Sequence, residues 1–517
     1  MGLLRTTCIY IRLFLDRVID FFFSLYWNNK KTIIPNVETR HAFLAESATS
    51  LAKKIKQKEL KSEELVQAII DRIKQVNPHL NAIAADRYEA ALKEAREIDS
   101  KIAEGLTDEY AQKPFLGVPF TAKESQAIEG MPLTMGLWCR RNEKATEDSE
   151  AVKRLKKAGA IPIASTNLPE LLIWQETRNP VYGMTNNPHH TGRTPGGSSG
   201  AEAALTASYA TVVSLCSDIG GSTRMPAFYC GVFGHHPTAG TTNTKGSFYR
   251  NGDEDSMYSL GFISKHVEDL APLTKVVAGD KASLLKLDRK IDIKNIKFYY
   301  LDTSNDCLVS PLRPEMRDAM QRVICKINEN LNTTVQPYYH QGFNYMYRIW
   351  NYWMTKEPED LPKMLVKNAG KVNGVLELFK KMFGLSKLCL FNILRVLEMQ
   401  MLPKPEEEWS EEITKSLKDD LFAKLGDDGV LLLPSGPQAA PYHYSFFFRP
   451  YNFAYWAIVN ALKCPATQVP IGKNGQDLPI GIQVLAAPYN DALCLSVAKY
   501  LETEFGGAIT ACKIKTN

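Results

Sequence analysis

The stretch that decides the fold is residues 194–201, which reads TPGGSSGA. Residues 196–200 match GxSxG, the pattern of a sharp strand-to-helix turn that presents a nucleophilic serine. Such a turn needs an apolar strand that runs directly into the serine, but the residues before Ser198 read NNPHHTGRTPGG and predict a loop. None of the later histidines has a context typical of a Ser-His-Asp triad. The pattern therefore predicts a glycine-rich loop in which Ser198 is not the attacking group.

A second candidate follows at residues 217–227, which read SDIGGSTRMPA. Ile219, Gly220, Gly221 and Ser222 place consecutive backbone N–H groups beside a hydroxyl group. An oxyanion hole requires this arrangement, because those N–H groups can stabilise the charge that develops when the serine attacks a carbonyl. The alternative interpretation of these residues alone is an ordinary glycine turn.

Six motifs occur in a fixed order and identify a family. They read TAKES (121–125), PGGSSGAEAAL (195–205), SDIGGSTRMPA (217–227), GHHPT (234–238), NFAYWAIVNALKCPATQVPIG (452–472) and LPIGIQV (478–484). Together they resemble the amidase signature family, and within it the type 2 fatty-acid amide hydrolases, over about residues 40–505. The resemblance implies an α/β fold with a large, mixed, twisted β-sheet that is covered by helices on both faces.

The same resemblance implies a Ser-Ser-Lys triad. Ser222 would be the nucleophile, Ser198 the bridging serine after a cis peptide bond with Gly197, and Lys123 the base. It also implies an oxyanion hole formed by the backbone of Ile219, Gly220, Gly221 and Ser222. Substrate contacts are expected from Ser199 and from Leu172, which lies in ELLIWQETRNPVYG (170–183). No metal and no cofactor are expected.

The proposed base has to be neutral to work. An exposed lysine with a pKa of about 10.4 is neutral in only about one molecule in a thousand at pH 7.4. The apolar run before Lys123 predicts a buried strand end, where burial would lower the pKa. Glu124 would oppose this shift, but strand alternation points it to the opposite face.

Two positions depart from the family pattern. Ala201 replaces the last glycine of the usual GGSSGG, and Cys216 replaces the glycine that usually precedes the Ser/Thr-Asp pair. Both replacements are small, so we expect the triad to be preserved with a slightly narrower local backbone.

The N-terminus differs from the rest of the chain. Residues 7–27, TCIYIRLFLDRVIDFFFSLYW, predict an amphipathic helix. Arg12, Asp16 and Asp20 lie on one side, and Phe14, Phe21 and their apolar neighbours lie on the other. We favour a helix in the membrane interface, and leave open a membrane span and a helix docked on the protein body. The predicted division is a membrane-associating helix at 1–35 and an amidase domain at 36–517.

The body of the chain reads as one large α/β unit. We expect core motifs at 115–240, a helical insertion at about 340–402 and C-terminal strands at 429–485. Within the insertion, residues 374–401 are strongly apolar and could cover a core or face lipid. Their composition alone favours a core, whereas the resemblance implies an acyl channel and a membrane face.

Composition excludes several other classes of protein. The 517 residues carry a formal net charge of +5 that is spread along the chain, so a nucleic-acid surface is not expected. The 10 cysteines form no CxxC pattern, and no carboxylate is spaced to complete a metal site with either histidine pair. Free thiols in a reducing compartment are therefore expected.

The resulting hypothesis is a hydrolase of fatty-acid amides, both primary amides and N-acylethanolamines, that acts through an acyl-enzyme. Its partners would be a lipid amide and a membrane surface, and a homodimer is left open. We expect an intracellular, membrane-associated location at the endoplasmic reticulum or lipid droplets. The alternatives are a general amidase, a glutaminyl-tRNA amidotransferase A-like subunit, and a membrane-tethered scaffold that has lost catalysis.

Overall fold

The computed structural model describes residues 2–247, 250–252 and 255–515. The strands within these residues are β1 (Ile83–Asp86), β2 (Pro119–Lys123), β3 (Ile161–Thr166), β4 (Arg178–Asn179), β5 (Gly183–Met184), β6 (Val213–Asp218), β7 (Phe233–His236), β8 (Ser259–Ser264), β9 (Lys297–Tyr300), β10 (Gln336–Pro337), β11 (Gly429–Pro434), β12 (Ala466–Lys473) and β13 (Pro479–Ala486).

The α-helices of the same residues are α1 (Gly2–Trp27), α2 (Ala48–Lys56), α3 (Ser62–Leu80), α4 (Tyr88–Glu104), α5 (Asp108–Ala111), α6 (Glu150–Lys157), α7 (Gly200–Ala207), α8 (Arg224–Cys230), α9 (Leu270–Ala278), α10 (Pro314–Leu331), α11 (Met346–Met354), α12 (Leu361–Met364), α13 (Gly374–Met382), α14 (Leu390–Met401), α15 (Glu407–Leu425), α16 (Ala454–Leu462) and α17 (Asp491–Phe505).

A single 11-stranded sheet organises the molecule, in the order β1-β3-β2-β6-β8-β7-β12-β13-β11-β9-β10. Strands β3, β2 and β6 run parallel to one another, whereas β6, β8, β7, β12, β13 and β11 pair antiparallel in turn. Every residue of β6, β8, β11 and β13 is buried, so both faces of the sheet are covered. The prediction of an α/β fold with a large mixed sheet is confirmed.

Many elements begin and end where the sequence pattern places them. The short apolar run IPIAST (161–166) has the pattern of a buried strand and forms β3, and the run GVLLLPS (429–435) contains β11. The run SEELVQAIIDRI, which starts at Ser62, has acids in its first turn and apolar residues at helical spacing, and it begins α3 with Leu65 and Ile69 buried. These segments combine clear periodicity with clear end signals, which makes their boundaries readable.

The N-terminal helix is docked on the protein body by its polar side. Asp16 is 2% exposed and forms a 3.0 Å ion pair with the Nε of Arg449, which is itself fully buried. Asp20 accepts a 2.7 Å hydrogen bond from the same guanidinium group and also pairs with Arg313. The sequence left open an interfacial helix, a membrane span and a helix docked on the protein body. These contacts are those of a docked helix.

The apolar side of α1 faces outward. Its exposed side chains are Tyr10, Ile11, Phe14, Leu15, Phe21, Phe22, Leu25 and Tyr26. Hydrophobic residues normally turn toward the core of a soluble protein, and a contiguous exposed patch of this kind marks an interaction surface. Among the described residues, no helix is both long enough and apolar enough to cross a bilayer.

The apolar segment 374–401 also faces outward in part, so the core that its composition favours is wrong for α13. Gly374 is the one residue of α13 that is buried, whereas Phe379 and Met382 are 61% and 73% exposed. Helix α14 is divided, since Ile393 and Val396 are buried and Met399 is exposed. Composition showed that this segment is apolar, but it could not show that the described elements leave much of α13 and part of α14 uncovered.

Candidate active site

The carboxyl end of β2 brings Lys123 into the interior between β3 and β6. The side chain is completely buried, and its Nζ donates to three hydroxyl groups. The distances are 2.7 Å to Ser198 Oγ, 3.0 Å to Ser199 Oγ and 3.0 Å to Ser217 Oγ. A hydroxyl group can accept from an ammonium or donate to a neutral amine, and it adds no negative charge, so these three partners leave the neutral form of Lys123 accessible.

Burial lowers the pKa of Lys123 to about 8, while the nearby Glu202, Cys216 and Asp218 oppose the shift. Glu202 is the largest of the opposing charges. It lies on α7, is fully buried and accepts a 2.7 Å hydrogen bond from the Thr166 hydroxyl. Burial raises the pKa of Glu202 to about 7, and Lys123 opposes that rise. The sequence alone did not point to this residue.

Glu124 stays away from the amine, as strand alternation predicts. Its carboxylate accepts N–H groups from Thr134 and Met135 and the hydroxyl group of Tyr182. Burial raises the pKa of Glu124 to about 7, against the effect of these hydrogen bonds.

The loop before α7 supplies Ser198, which is 1% exposed. The Gly197–Ser198 peptide bond is cis, as the resemblance implies. The Ser199 N–H donates to the Ser222 carbonyl oxygen at 3.1 Å, so the two serine loops lie side by side. Ala201 lies buried in the first turn of α7. A helical position accepts alanine more readily than glycine, so this departure leaves the turn intact.

Ser222 lies between β6 and α8 and is partly exposed, in contrast to the buried Lys123 and Ser198. Its Oγ forms no side-chain hydrogen bond to any described residue. Catalytic hydrogen bonds are often long in ligand-free enzymes and tighten when substrate binds. The site therefore combines the accessible hydroxyl group of Ser222 with the buried pair of Ser198 and Lys123.

The backbone around Ser222 is held by Asp218. Its carboxylate accepts the Gly221 N–H at 2.7 Å and the Thr223 N–H at 3.1 Å. Within the described chain, the N–H groups of Gly220 and Ser222 have no hydrogen-bond partner. Of the four residues expected to form an oxyanion hole, Ile219, Gly220 and Ser222 have N–H donors without a partner among the described residues, and the donor of Gly221 is occupied.

Gly221 is required by its geometry. Its φ of +102° lies in the left-handed region that favours glycine, and a Cβ at this position would lie 2.2 Å from the Cβ of Trp456. A side chain here would displace either α16, which carries Trp456, or the loop itself.

Arg224 is a further residue that the sequence did not single out. It is fully buried and binds the Asp218 carboxylate through its Nε and one terminal nitrogen, each at 3.1 Å. Its terminal nitrogens also donate to Gln483 and Asn460. Burial raises the pKa of Asp218, but Arg224 and His236 outweigh this effect and hold it below its usual range. A charged residue two positions after Ser222 in an otherwise small-residue motif was the available signal.

Leu172 ends a short 3₁₀ turn, Glu170–Leu172, and is half-buried. The chain then runs past the serine loop, because a Cβ on Gly197 would lie 2.4 Å from the Trp174 carbonyl oxygen. No hydrogen bond connects Leu172 with the serines or Lys123. Within the described part of the chain, no group of three or more His, Cys, Asp or Glu side chains could hold a metal ion.

The Amidase family model matches residues 64–495. The chain belongs to the amidase family. It is 40% identical over 474 residues to the fatty-acid amide hydrolase 2 of Homo sapiens, an alignment that covers 89% of each chain. It is 39% identical over 476 residues to the fatty-acid amide hydrolase 2-B of Danio rerio, covering 89% of this chain and 90% of that one. A glutamyl-tRNA(Gln) amidotransferase chain of Lachnospira eligens is 30% identical over 482 residues, covering 85% of this chain and 94% of that one.

A solved structure of a fatty acid amide hydrolase has the same fold. It superposes with a TM-score of 0.73 at 20% identity and covers 91% of this chain and 87% of that one. The family match and the similarity to fatty-acid amide hydrolase 2 show that this protein is an amide hydrolase. They confirm the resemblance that the six motifs indicated.

Proposed function

We propose that this amidase hydrolyses fatty-acid amides, both primary amides and N-acylethanolamines, through an acyl-enzyme on Ser222. Ser198 is the proton bridge and Lys123 the base. The observation that carries the assignment of roles is the 2.7 Å contact between the buried Lys123 Nζ and Ser198 Oγ. The substrate class rests on the similarity to fatty-acid amide hydrolase 2.

The mechanism begins with neutral Lys123. The amine takes the Ser198 proton while Ser198 takes the Ser222 proton, and Ser222 Oγ attacks the amide carbon. The N–H groups of Gly220 and Ser222 stabilise the resulting oxyanion. As the C–N bond breaks, Ser198 protonates the leaving nitrogen and recovers a proton from the Lys123 ammonium. Water then attacks the ester on Ser222, gives its proton to the same relay and releases the acid, and the relay returns the proton to Ser222.

This relay is suited to amides because amines leave poorly unless they are protonated. An ester leaving group departs as an alkoxide far more readily, so it depends less on the returned proton. A base that only removed the Ser222 proton would favour esters.

The relay predicts a defined pH profile. Lys123 is active only when it is neutral, so kcat/KM should fall as the pH decreases below its pKa of about 8. The Glu202 carboxylate raises the pKa of Lys123, so Glu202→Gln should move the midpoint of the profile to lower pH. The measurement is kcat/KM for a soluble amide between pH 5.5 and 10.

Glu170→Gln is the matched control for that experiment. Glu170 is also buried with a pKa raised by burial to about 7, but its carboxylate binds Asn392 and the Cys389 N–H. This variant should leave the midpoint unchanged. An identical shift in both variants, or no shift in either, would contradict the assignment of Lys123 as the base.

An apolar surface beside the site supports a lipid substrate. Trp174 contacts Phe391 of α14 with ring centroids 3.8 Å apart, and contacts Phe447 at 4.9 Å. Phe448, the next residue, packs against Phe23 of α1 at 5.9 Å. The exposed faces of α1 and of the α13–α14 pair therefore border the same aromatic turn. We propose that these faces together contact the membrane, from which a lipid amide reaches Ser222.

Membrane contact can be tested without removing any helix. Phe379→Ser with Phe383→Ser replaces two exposed rings, one on α13 and one directly after it, which are 61% and 68% exposed. Burial of one such ring contributes about 1.5–3 kcal/mol, so the pair should lower affinity for phosphatidylcholine vesicles at least tenfold in flotation. Activity on a short, water-soluble amide should not change. Retained flotation with both rings removed would argue against this surface.

Substrate profiling tests the proposed function itself. Oleamide and oleoylethanolamide should be hydrolysed with kcat/KM at least about 100-fold above that of acetamide, because a long chain buries many methylene groups at about 0.8 kcal/mol each. Preference for short amides would favour a general amidase, and glutamine hydrolysis would favour an amidotransferase role. The division at residue 35, the intracellular location and a homodimer stay predictions.

A further inference from the structure

The indole group of Trp350 holds the start of the loop that carries Ser222. Trp350 lies on α11 and is buried, and its Nε1 donates to the Ile219 carbonyl oxygen at 2.8 Å. The ring lies directly against the loop, because a Cβ on Gly220 would come within 3.1 Å of it. Trp350 itself is fixed by an edge-to-face contact with Phe453, at 4.8 Å between ring centroids.

The hydrogen bond sets the direction of a catalytic N–H group. The peptide unit between Ile219 and Gly220 is planar and trans, so its carbonyl and its N–H point in opposite directions. When Trp350 holds the carbonyl, the Gly220 N–H is turned the other way. Rotation of this peptide changes ψ of Ile219 and φ of Gly220, and Gly220 offers little resistance to it because it has no Cβ. An external bond is therefore needed to keep it in one orientation.

The following peptides of the loop are held by other hydrogen bonds. The two Asp218 bonds hold the Gly221 and Thr223 N–H groups, and neither bond restrains the orientation of the Ile219–Gly220 peptide. The Gly221–Ser222 peptide is held by the Met225 N–H, which donates to the Gly221 carbonyl oxygen at 2.8 Å. The N–H groups of Gly220 and Ser222 stay available for a ligand, and Trp350 restrains the Ile219–Gly220 peptide, which Asp218 does not hold.

We propose that Trp350 is a positioning residue that orients the Gly220 N–H toward the oxyanion by holding the Ile219 carbonyl. This inference rests on the proposed role of Ser222 as the nucleophile. It assigns to the indole N–H a role that a wall of an acyl channel would not require. A side chain that only lines an acyl channel needs an apolar ring, whereas a group that orients the peptide needs the indole N–H donor.

Trp350→Phe removes the donor and keeps an aromatic ring. Loss of an oxyanion donor costs about 10²–10³ in kcat, so loss of the group that orients one should cost about tenfold. The decrease should appear in kcat, with KM changed less than twofold, and it should be equal for an amide and its matched ester. Both substrates form an oxyanion, so this result separates Trp350 from the proton relay, whose loss affects amides more.

The same helix offers a matched control. The Trp353 Nε1 donates to Thr414 Oγ1 at 3.1 Å, away from the Ser222 loop. Trp353→Phe therefore removes an equivalent bond from α11 and should leave kcat unchanged. Equal losses in both variants would indicate a general effect on α11 and would overturn the proposal.

The rate of fluorophosphonate labelling separates this proposal from the substrate assignment, because the probe needs only Ser222 and its donors. Slower labelling of Trp350→Phe, with an unchanged rate for Trp353→Phe, would support the proposal. If wild-type protein were not labelled, the proposed nucleophile would be wrong. Equal labelling rates for the wild-type protein and Trp350→Phe would overturn the proposal. So would a Trp350→Phe variant with a raised KM and an unchanged kcat, because Trp350 would then act only as an apolar wall of the substrate site.

Should Trp350→Phe fail to fold, 3-benzothienylalanine can be introduced at position 350 by nonsense suppression. This side chain keeps the shape of the indole and replaces only its N–H with sulfur. The expected result is the same tenfold loss in kcat and in labelling rate. Wild-type rates with this side chain would overturn the proposal.

Discussion

Lys123→Ala is expected to lower kcat/KM for oleamide by about 10⁴-fold, the upper end of what general acid–base catalysis contributes. The loss for the matched methyl ester should be at least tenfold smaller. The reason is that without the Lys123 amine Ser198 cannot recover the proton that it gives to the leaving nitrogen. The measurement is kcat/KM for both substrates at pH 9, where the wild-type amine is mostly neutral.

Lys265→Ala is the matched control for that prediction. Lys265 is also fully buried with a pKa lowered by burial to about 8, but its Nζ donates to the Thr211 carbonyl oxygen. Its removal tests the cost of emptying a buried lysine site without touching the serines. Equal losses on amide and ester in Lys123→Ala would contradict the relay, whatever the control shows.

The second large effect concerns the docked helix. Arg449 is completely buried, and its charge is compensated by Asp16 and Asp20 of α1. Replacing both acids with asparagine should lower the free energy of unfolding by about 3–5 kcal/mol, because it leaves a buried charge unpaired. Denaturant unfolding in detergent measures this change, and Arg17→Gln, on the exposed side of the helix, should have almost no effect.

A triple variant checks the cause of that loss. Adding Arg449→Met to the two asparagine substitutions removes the unpaired charge, and replacement of a buried ion pair by neutral groups is often close to neutral. Most of the lost stability should therefore return. No recovery would mean that the unpaired charge of Arg449 is not the cause of the loss.

This packing changes how removal of the N-terminus should be interpreted. Deletion of residues 1–30 should release protein from membranes, but it also strips Asp16 and Asp20 from Arg449. Arg449 follows the aromatic turn whose Phe447 contacts Trp174 beside the serine loop. Loss of activity after this deletion would therefore report a damaged site. Substitution of exposed rings is the cleaner test of membrane contact.

The sequence predicted what local patterns encode. The end of β2 at Lys123, the loop before α7 and the turn before α8 each carry a motif, so their residues could be named. The order of the motifs identified the family and its fold. The periodicity of α1 also separated its polar and apolar sides correctly.

What the sequence could not predict depends on which surfaces meet. The polar side of α1 does not reveal that it pairs with a buried arginine at position 449, more than 400 residues later in the chain. Glu202 follows Ser198 closely in sequence, yet only the packing of α7 beside β2 brings its charge near Lys123. The Trp350 bond to Ile219 joins two distant segments and has no sequence signature.

Peptide mapping after reaction with a fluorophosphonate probe tests the central claim most directly. Folded wild-type protein should carry one adduct, on Ser222, and Ser222→Ala should carry none. Ser198→Ala should keep the adduct on Ser222 but form it much more slowly. An adduct on Ser198 in the wild-type protein, or undiminished labelling of Ser222→Ala, would contradict the assignment of Ser222 as the nucleophile.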